Sequence, residues 1–283
     1  MNASTPTLLA VVLAIVLPNA LRAQEQVTLV REDGKSLVAI AYSPKAPDCH
    51  GIAIISHGAG GSERGYSFLG ESMASLGYIA IVVGHQESGM PALRAHMRGV
   101  NVREALAALI TDPKAYQTRF MDISASRQWA QKRCASSDAI LLGHSMGAAT
   151  VMMEAGARNL LGITGQDGFN AYIALSPQGS GIIFPTHAWA GIKRPVLSIT
   201  GTRDDELGGG TWQTRTEPFM NLPAGCKWQA VIEGASHMQL AGIGMAREVR
   251  AQTVQLIAAF VEGYRRGDCT PPPPEKGLDL QSK

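Results

Sequence analysis

The chain contains the segment AILLGHSMG at residues 139–147, followed by the apolar stretch AATVMM at residues 148–153. The first four residues predict a buried strand, and the stretch after Gly147 predicts a helix. Between them, G-x-S-x-G predicts a sharp turn with Ser145 at its corner, because glycines on both sides let the strand and the helix approach closely. Ser145 is therefore a candidate nucleophile, and the alternative is a serine in an ordinary turn of a parallel sheet.

Composition predicts a single globular unit. The chain has 283 residues, of which 45% are hydrophobic and 17% are charged, so it can bury one large core. The net charge is +2 and no block of like charges occurs, which gives no reason to expect a nucleic acid or an anionic membrane surface as partner. We expect a small-molecule substrate, and the oligomeric state stays open.

The N-terminus resembles a secretory signal peptide. Residues 7–17 are apolar but too short to span a bilayer, and a small-residue site ending at Ala20 or Ala23 follows Pro18. Residues 1–6 lack the Lys or Arg of most signals, so an uncleaved anchor or a buried first helix remain alternatives. We predict a signal peptide at 1–23, a catalytic domain at 24–268 and a Pro-rich tail at 269–283. The mature protein would be secreted or periplasmic, without stable membrane association.

The four cysteines predict two disulfides. None is in C-x-x-C spacing, which argues against a zinc site or a dithiol redox motif, and an even number in an exported chain favours disulfides. Cys49 and Cys134 each precede a strand, and these two strands should be neighbours. Cys226 precedes the last strand, and Cys269 follows a helix that runs back towards the start of that strand. The predicted pairs are Cys49–Cys134 and Cys226–Cys269.

The order of the elements predicts an α/β fold with a mostly parallel central sheet and helices on both faces. Residues 26–30 and 36–42 form an opening hairpin. Residues 52–55 and 78–83 are short apolar runs on either side of a helical stretch at 66–76, which is the rhythm of parallel strands. Further strands are predicted at 139–142, 171–175, 196–200 and 228–232, and further helices at 146–158 and 246–264.

Three other segments have a less distinct pattern of apolar residues. Residues 84–122 contain helical stretches at 91–97 and 102–110, with breaks expected near Gly99 and at Asp112–Pro113. This segment either walls or caps a pocket or is simply a crossover helix with surface turns. A helix from about 122 to 133 should begin with Asp122 as its cap. The segment TPPPP at 270–274 should be extended and solvated.

Three residues suggest nucleophilic catalysis. A serine hydroxyl needs a base within hydrogen-bond reach and a carboxylate to orient that base. Ser145, Asp204 and His237 follow one another in this order, each after a predicted strand, so they should meet at the carboxyl edge of the sheet. Asp205 is the alternative acid, and Glu206 the third neighbouring carboxylate.

The negative charge that forms during attack would need backbone N–H donors. One should come from Met146, directly after the serine. The other should come from the glycine-rich loop SHGAGG at residues 56–61, where Ala59 is the first candidate and Gly60 the second.

The segments SHGAGG, GHSMG, TGTRDD and EGASHM, with RTEPFMNLP before the last, resemble the dienelactone-hydrolase-like branch of the α/β-hydrolases. This branch is similar to platelet-activating-factor acetylhydrolases and bacterial polyester-cleaving cutinases. The resemblance implies a carboxylic ester hydrolase without metal or organic cofactor, with Ser145, Asp204 and His237 in the catalytic positions. Ser145 replaces the cysteine of true dienelactone hydrolases, and Ala59 replaces an aromatic residue of the cutinases.

The function expected is thus an exported serine hydrolase that cleaves carboxylic esters through an acyl-enzyme intermediate. An acyltransferase or a peptidase with the same catalytic residues is the nearer alternative, and a binding protein without turnover the more distant one. A metal site formed by His57, His144 and His237 is disfavoured, because no acidic ligand accompanies these residues at a fixed spacing.

Overall fold

The structure, a computed structural model, describes residues 24–45, 48–207, 209–244 and 247–283. The expected signal peptide lies outside these residues. The strands are β1 (Gln24–Val30), β2 (Ser36–Tyr42), β3 (Gly51–Ser56), β4 (Tyr78–Val83), β5 (Ala139–His144), β6 (Ala171–Leu175), β7 (Val196–Arg203), β8 (Lys227–Ser236) and β9 (Leu278–Ser282). They form one sheet in the order β1-β2-β4-β3-β5-β6-β7-β8-β9.

The middle of the sheet is parallel. Strands β4, β3, β5, β6, β7 and β8 run in the same direction, whereas β1, β2 and β9 pair antiparallel at the two sides. Every residue of β3, β4, β5 and β6 is buried, which is why these strands are continuous apolar runs in the sequence. The parallel arrangement brings the carboxyl ends of β3, β5, β7 and β8 to one edge of the sheet.

Helices cover both faces of the sheet. They are α1 (Ser67–Ser75), α2 (Met90–His96), α3 (Val102–Ile110), α4 (Pro113–Gln131), α5 (Met146–Glu154), α6 (Glu217–Asn221), α7 (His237–Leu240) and α8 (Arg247–Arg266). Ile123 of α4 and Met152 of α5 belong to the core on one face, and Met73 of α1 and Phe260 of α8 to the core on the other. The predicted fold class is confirmed.

Helix α4 begins earlier than the sequence predicts. It starts at Pro113, and the side chain of Asp112 caps it by accepting the N–H of Lys114 at 2.9 Å. The pair Asp112–Pro113 suggested a break, but a proline in the first turn is compatible with a helix start, because its missing N–H would have no partner there. The predicted cap, Asp122, lies instead in the middle of α4 and is buried.

The C-terminal segment contributes a strand that the sequence analysis did not predict. The proline run has no regular secondary structure, but Leu278–Ser282 forms β9 and pairs with β8. The sheet therefore extends beyond residue 268, where the sequence placed the end of the catalytic domain. The short pattern LDLQS is mostly exposed, so it lacks the apolar run that identifies the inner strands.

Two disulfides join the predicted pairs of cysteines. Cys49–Cys134 ties the region before β3 to the region before β5, with its Cα atoms 5.6 Å apart. Cys226–Cys269 ties the start of β8 to the segment after α8, with its Cα atoms 5.4 Å apart. Both bonds lie towards the amino ends of the parallel strands, and the predicted catalytic residues lie towards the carboxyl ends.

Replacing Cys49 and Cys134 together by serine should lower the free energy of unfolding by about 2–4 kcal/mol, because the bond restricts the unfolded chain. Urea denaturation of the variant and the parent protein measures this difference. Below the unfolding transition, the reactivity of Ser145 should be unchanged, because the bond lies at the opposite edge of the sheet. An unaltered unfolding curve would contradict the stabilising role of this disulfide.

Candidate active site

Ser145 lies at a strained corner between β5 and α5, with φ 56° and ψ −117°. A positive φ is uncommon for serine and persists only where the surrounding structure holds it. The N–H of Ser145 donates to the carbonyl of Leu175 at 3.0 Å. A β-carbon at Gly147 would overlap the carbonyl oxygen of Ser56 at the end of β3. The second glycine of the predicted turn is thus required by the close packing of α5 on β3.

His237 connects the other two predicted residues. Its Nε2 lies 3.0 Å from the Oγ of Ser145, and its Nδ1 lies 2.8 Å from Oδ1 of Asp204. His237 begins α7 directly after β8, and a capping box formed by Ser236 and Gln239 holds this turn. With Nδ1 donating to the carboxylate, Nε2 is left to accept the proton of the Ser145 hydroxyl.

Of the three neighbouring carboxylates, Asp204 is the one that contacts His237. It is fully buried, and its Oδ2 accepts a hydrogen bond from Thr200 at 2.9 Å. Asp205 is exposed and accepts a backbone N–H from the short helical turn that follows. Glu206 accepts a backbone N–H from the loop after β6. The carboxylates of Asp205 and Glu206 therefore bind backbone N–H groups of neighbouring loops and do not contact His237.

Arg215 is a site residue that the sequence analysis missed. It is buried, and its Nε lies 3.0 Å from Oδ1 of Asp204 and also donates to the carbonyl of Asp204. Its Nη1 donates to the carbonyl of Ser176 at 3.0 Å, and its Nη2 to the carbonyl of Asp205 at 3.1 Å. Arg215 thus fixes the loop after β7 against the loop after β6. Arg215 is the first residue of the segment RTEPFMNLP, and the sequence of this segment does not indicate the contact with Asp204.

Two backbone N–H groups beside Ser145 are free to act as donors. Within the described ranges, the N–H groups of Ala59 and Met146 have no hydrogen-bond partner. The N–H of Gly60, by contrast, donates to the carbonyl of Ser88 at 2.8 Å. Of the two candidates in the glycine-rich loop, Ala59 is therefore the one whose N–H remains available.

His144 points away from the reactive side of the turn, as expected for a residue next to Ser145. Its Nε2 donates to the carbonyl of His237 at 3.0 Å, and its Nδ1 accepts from the hydroxyl of Tyr66 at 2.9 Å. Burial, followed by the charge of His237, holds the pKa of His144 well below its usual value. His144 is therefore neutral at physiological pH, and it supports the backbone of His237, the candidate base.

The histidines considered for a metal site have other partners. Both ring nitrogens of His144 are hydrogen-bonded, and so are those of His57, to the carbonyl of Gly58 and to the N–H of His85. A ring whose two nitrogens are so engaged has no lone pair left for a metal. In the described part of the chain, no group of three or more His, Cys, Asp and Glu residues is placed to hold a metal ion.

A cavity of about 750 Å³ opens beside Ser145 and His237. Side chains from α2 and α3 line it, so the segment at 84–122, for which two interpretations were open, forms part of the pocket wall. Most of the large side chains around the cavity are apolar, and they include Met90, Leu93, Leu106, Ile110, Ile182, Leu207, Met238 and Ile243. The polar residues of the wall include Ser62, Gln178, Asp205, Glu206 and Arg215. The site can therefore receive a largely apolar molecule with its reactive group at Ser145.

Part of the chain matches a known family of proteins. Residues 21–97 match the family model of platelet-activating factor acetylhydrolase, isoform II. The matched part contains the loop with Ala59 but ends before Ser145, Asp204 and His237. No curated protein matches the chain in sequence.

Solved structures share the fold over most of the chain. A putative dienelactone hydrolase from Klebsiella pneumoniae is 17% identical, with a TM-score of 0.64 over 84% of this chain and 98% of that one. A predicted CIB-like hydrolase from Thermoplasma acidophilum is 15% identical, with a TM-score of 0.56 over 85% of this chain and 99% of that one. The matched family and both structures are hydrolases, in agreement with the predicted class of enzyme. The predicted resemblance is confirmed, and the chain shares its fold with these α/β-hydrolases over most of its length.

Proposed function

We propose that the chain is an exported serine hydrolase that cleaves carboxylic esters through an acyl-enzyme intermediate. The observation that carries this proposal is the continuous set of contacts from Ser145 to His237 and from His237 to Asp204, at 3.0 and 2.8 Å. Three residues from distant parts of the chain meet in the order that nucleophilic catalysis requires. The free N–H groups of Ala59 and Met146 lie beside the same serine.

In the first half of the reaction, the Oγ of Ser145 attacks the ester carbonyl. His237 takes the proton of the hydroxyl at Nε2, and buried Asp204 stabilises the resulting imidazolium through Nδ1. The carbonyl oxygen becomes an oxyanion, which the N–H groups of Ala59 and Met146 stabilise. The tetrahedral intermediate then collapses, His237 gives its proton to the leaving alcohol, and the acyl group remains on Ser145.

In the second half, water hydrolyses the acyl-enzyme. His237 removes a proton from the water as it attacks the acyl carbonyl, and the same N–H groups hold the second oxyanion. When this intermediate collapses, the proton returns to the Oγ of Ser145 and the carboxylic acid leaves. All of these proton transfers use one nitrogen atom, Nε2, because Asp204 keeps Nδ1 protonated.

The cavity supports a small, largely apolar ester as the substrate. Its volume of about 750 Å³ is in the range that accommodates a compact organic molecule, and its wall from α2 and α3 is apolar. The two backbone donors and His237 mark where the reacting carbonyl lies. The rest of the substrate is then held mainly by burial of apolar surface.

Export is supported by the two disulfides, because such bonds persist in oxidising compartments. Across the ranges that the structure covers, no helix is both long and apolar enough to cross a bilayer. The N-terminal sequence pattern adds the expected signal peptide to this part of the proposal.

Ser145→Ala should lower the turnover of p-nitrophenyl esters by about 10⁴-fold or more, because the three residues act as a unit. It should also abolish covalent labelling by a fluorophosphonate probe. The matched control is Ser124→Ala, on the exposed side of α4, which should retain both activities. Ester turnover that persists in the Ser145 variant would refute the proposed function.

Asp204→Asn should lower kcat by about 10³- to 10⁴-fold, because the amide favours the wrong tautomer of His237. Asp205→Asn, its neighbour, should change kcat by less than about threefold, since the carboxylate of Asp205 accepts the backbone N–H of Trp212 and does not contact His237. Steady-state kinetics on one p-nitrophenyl ester compares the two variants. A larger loss of kcat in the Asp205 variant would show that Asp205, and not Asp204, orients His237.

Leu106→Trp should narrow the cavity from α3 and discriminate against large substrates. Two series of esters are compared, one that varies the acyl group from two to eight carbons and one that varies the alcohol from one to eight carbons. In at least one series, we expect kcat/KM to fall about tenfold more for the eight-carbon ester than for the acetyl or methyl ester. Val102→Trp on the same helix is the control, because Val102 is exposed and does not line the cavity. Equal losses for all esters would contradict a substrate site along α3.

A further inference from the structure

Arg119 of α4 lies buried behind the loop that carries Ala59. Its Nη1 donates to the carbonyl of His57 at 2.6 Å and to the Oγ of Ser56 at 3.0 Å. Its Nε donates to the Oγ of Ser88 at 2.8 Å. Arg119 is not among the residues that line the cavity, so it does not contact a bound substrate directly.

The partners of Arg119 are unusual for a buried cation. The acceptors are one carbonyl and two hydroxyls, and within the described ranges no carboxylate forms an ion pair with it. Burial lowers the pKa of Arg119 to about 10, so the side chain still carries its charge at neutral pH. A charge in such a position is costly to bury, and apolar side chains would fill the same space more favourably. We therefore expect Arg119 to have a role other than filling space in the core.

These hydrogen bonds join two loops. Ser56 is the last residue of β3 and His57 follows it, whereas Ser88 belongs to the segment after β4. The same two loops are joined by the N–H of Gly60, which donates to the carbonyl of Ser88 at 2.8 Å, and by the N–H of His85, which donates to Nε2 of His57 at 3.1 Å. Arg119 thus lies at the centre of the contacts that fix the glycine-rich loop.

The ring of His57 passes this constraint on to the peptide that contains the N–H of Ala59. Because Nε2 of His57 accepts from a backbone N–H, the proton is on Nδ1, which donates to the carbonyl of Gly58 at 2.6 Å. The N–H of Gly61 donates to the same carbonyl at 3.0 Å. In a planar trans peptide the C=O and the following N–H point in opposite directions, so holding the carbonyl of Gly58 fixes the direction of the N–H of Ala59. Hydrogen bonds to that carbonyl also strengthen the N–H as a donor.

We propose that Arg119 is a positioning residue for the oxyanion, acting through the carbonyl and the ring of His57 on the N–H of Ala59. This inference rests on the proposed function, since it concerns the oxyanion of the same ester hydrolysis. Without Arg119, the carbonyl of His57 loses its strongest contact and the two loops can separate. The donor is then present but misplaced, which lowers the rate of reaction more than the binding of the substrate.

The test compares Arg119→Met and Arg119→Lys with the parent protein, using steady-state kinetics on p-nitrophenyl esters. For the Met variant we expect kcat to fall about 10- to 100-fold and KM to change less than about threefold. The Lys variant should recover part of kcat, because a single ammonium can still reach the carbonyl of His57. The matched control is Arg127→Met on the same helix, whose guanidinium lies over the ring of Phe169 instead of near the loop, and whose kcat should be retained.

A double-mutant cycle separates positioning from a general structural effect. Ala59→Pro removes the N–H itself and should lower kcat by about 10²- to 10³-fold. If Arg119 acts through this N–H, adding Arg119→Met to the Pro variant should lower kcat further by less than about threefold. Losses that multiply in the double variant, or a kcat of Arg119→Met equal to that of the parent, would overturn the inference.

Ser88→Ala keeps the inference testable if the Met variant does not fold, because it removes one contact of Arg119 and leaves the buried charge in place. Its kcat should fall about two- to tenfold with KM unchanged, and an unaltered kcat would count against the positioning role. Failure of the proposed function gives a different result, namely ester turnover that survives Ser145→Ala.

Discussion

Helix α5 packs so closely on the end of β3 that only a glycine fits at residue 147, against the carbonyl of Ser56. Because α5 directly follows β5, this contact fixes the carboxyl end of β5 relative to that of β3. It holds Ser145 in a strained backbone conformation that would relax in an isolated turn. It also places the loop after β3 beside the serine. The proposed nucleophile and the proposed donors for its oxyanion are therefore parts of one packing arrangement. A larger residue at 147 would separate α5 from β3 and disturb both.

Buried arginines hold the loops that meet at this edge. Arg215 binds carbonyls of the loops after β6 and β7 and contacts the carboxylate of Asp204. Arg119 binds the loop after β3 and the segment after β4. A guanidinium presents five N–H donors in a fixed plane, so it can satisfy several acceptors from two segments at once. Loops are otherwise the most mobile parts of an α/β fold, and these side chains give them the rigidity that catalytic geometry requires.

Much of the fold was predictable from the sequence, because the inner strands are continuous apolar runs and the turn around Ser145 has a distinctive glycine pattern. The order of Ser145, Asp204 and His237 was also readable, since parallel strands bring successive loops to one edge. The start of α4 was misjudged because Asp112–Pro113 suits both a break and a helix start. Strand β9 was missed because an exposed edge strand needs no apolar pattern. The contacts of Arg119 and Arg215 were beyond prediction, since an arginine in a sequence does not indicate whether its partners are solvent or distant carbonyls.

Strand β9 has a practical consequence. It runs antiparallel along β8 and brings Lys283 beside the start of β8, where the backbone of Lys283 is hydrogen-bonded to that of Lys227. The mouth of the cavity lies at the other end of the parallel strands. A linker fused after Lys283 would therefore leave the molecule on the far side from the mouth. Attachment to a solid support through this linker would orient the immobilised protein with its pocket towards the solution.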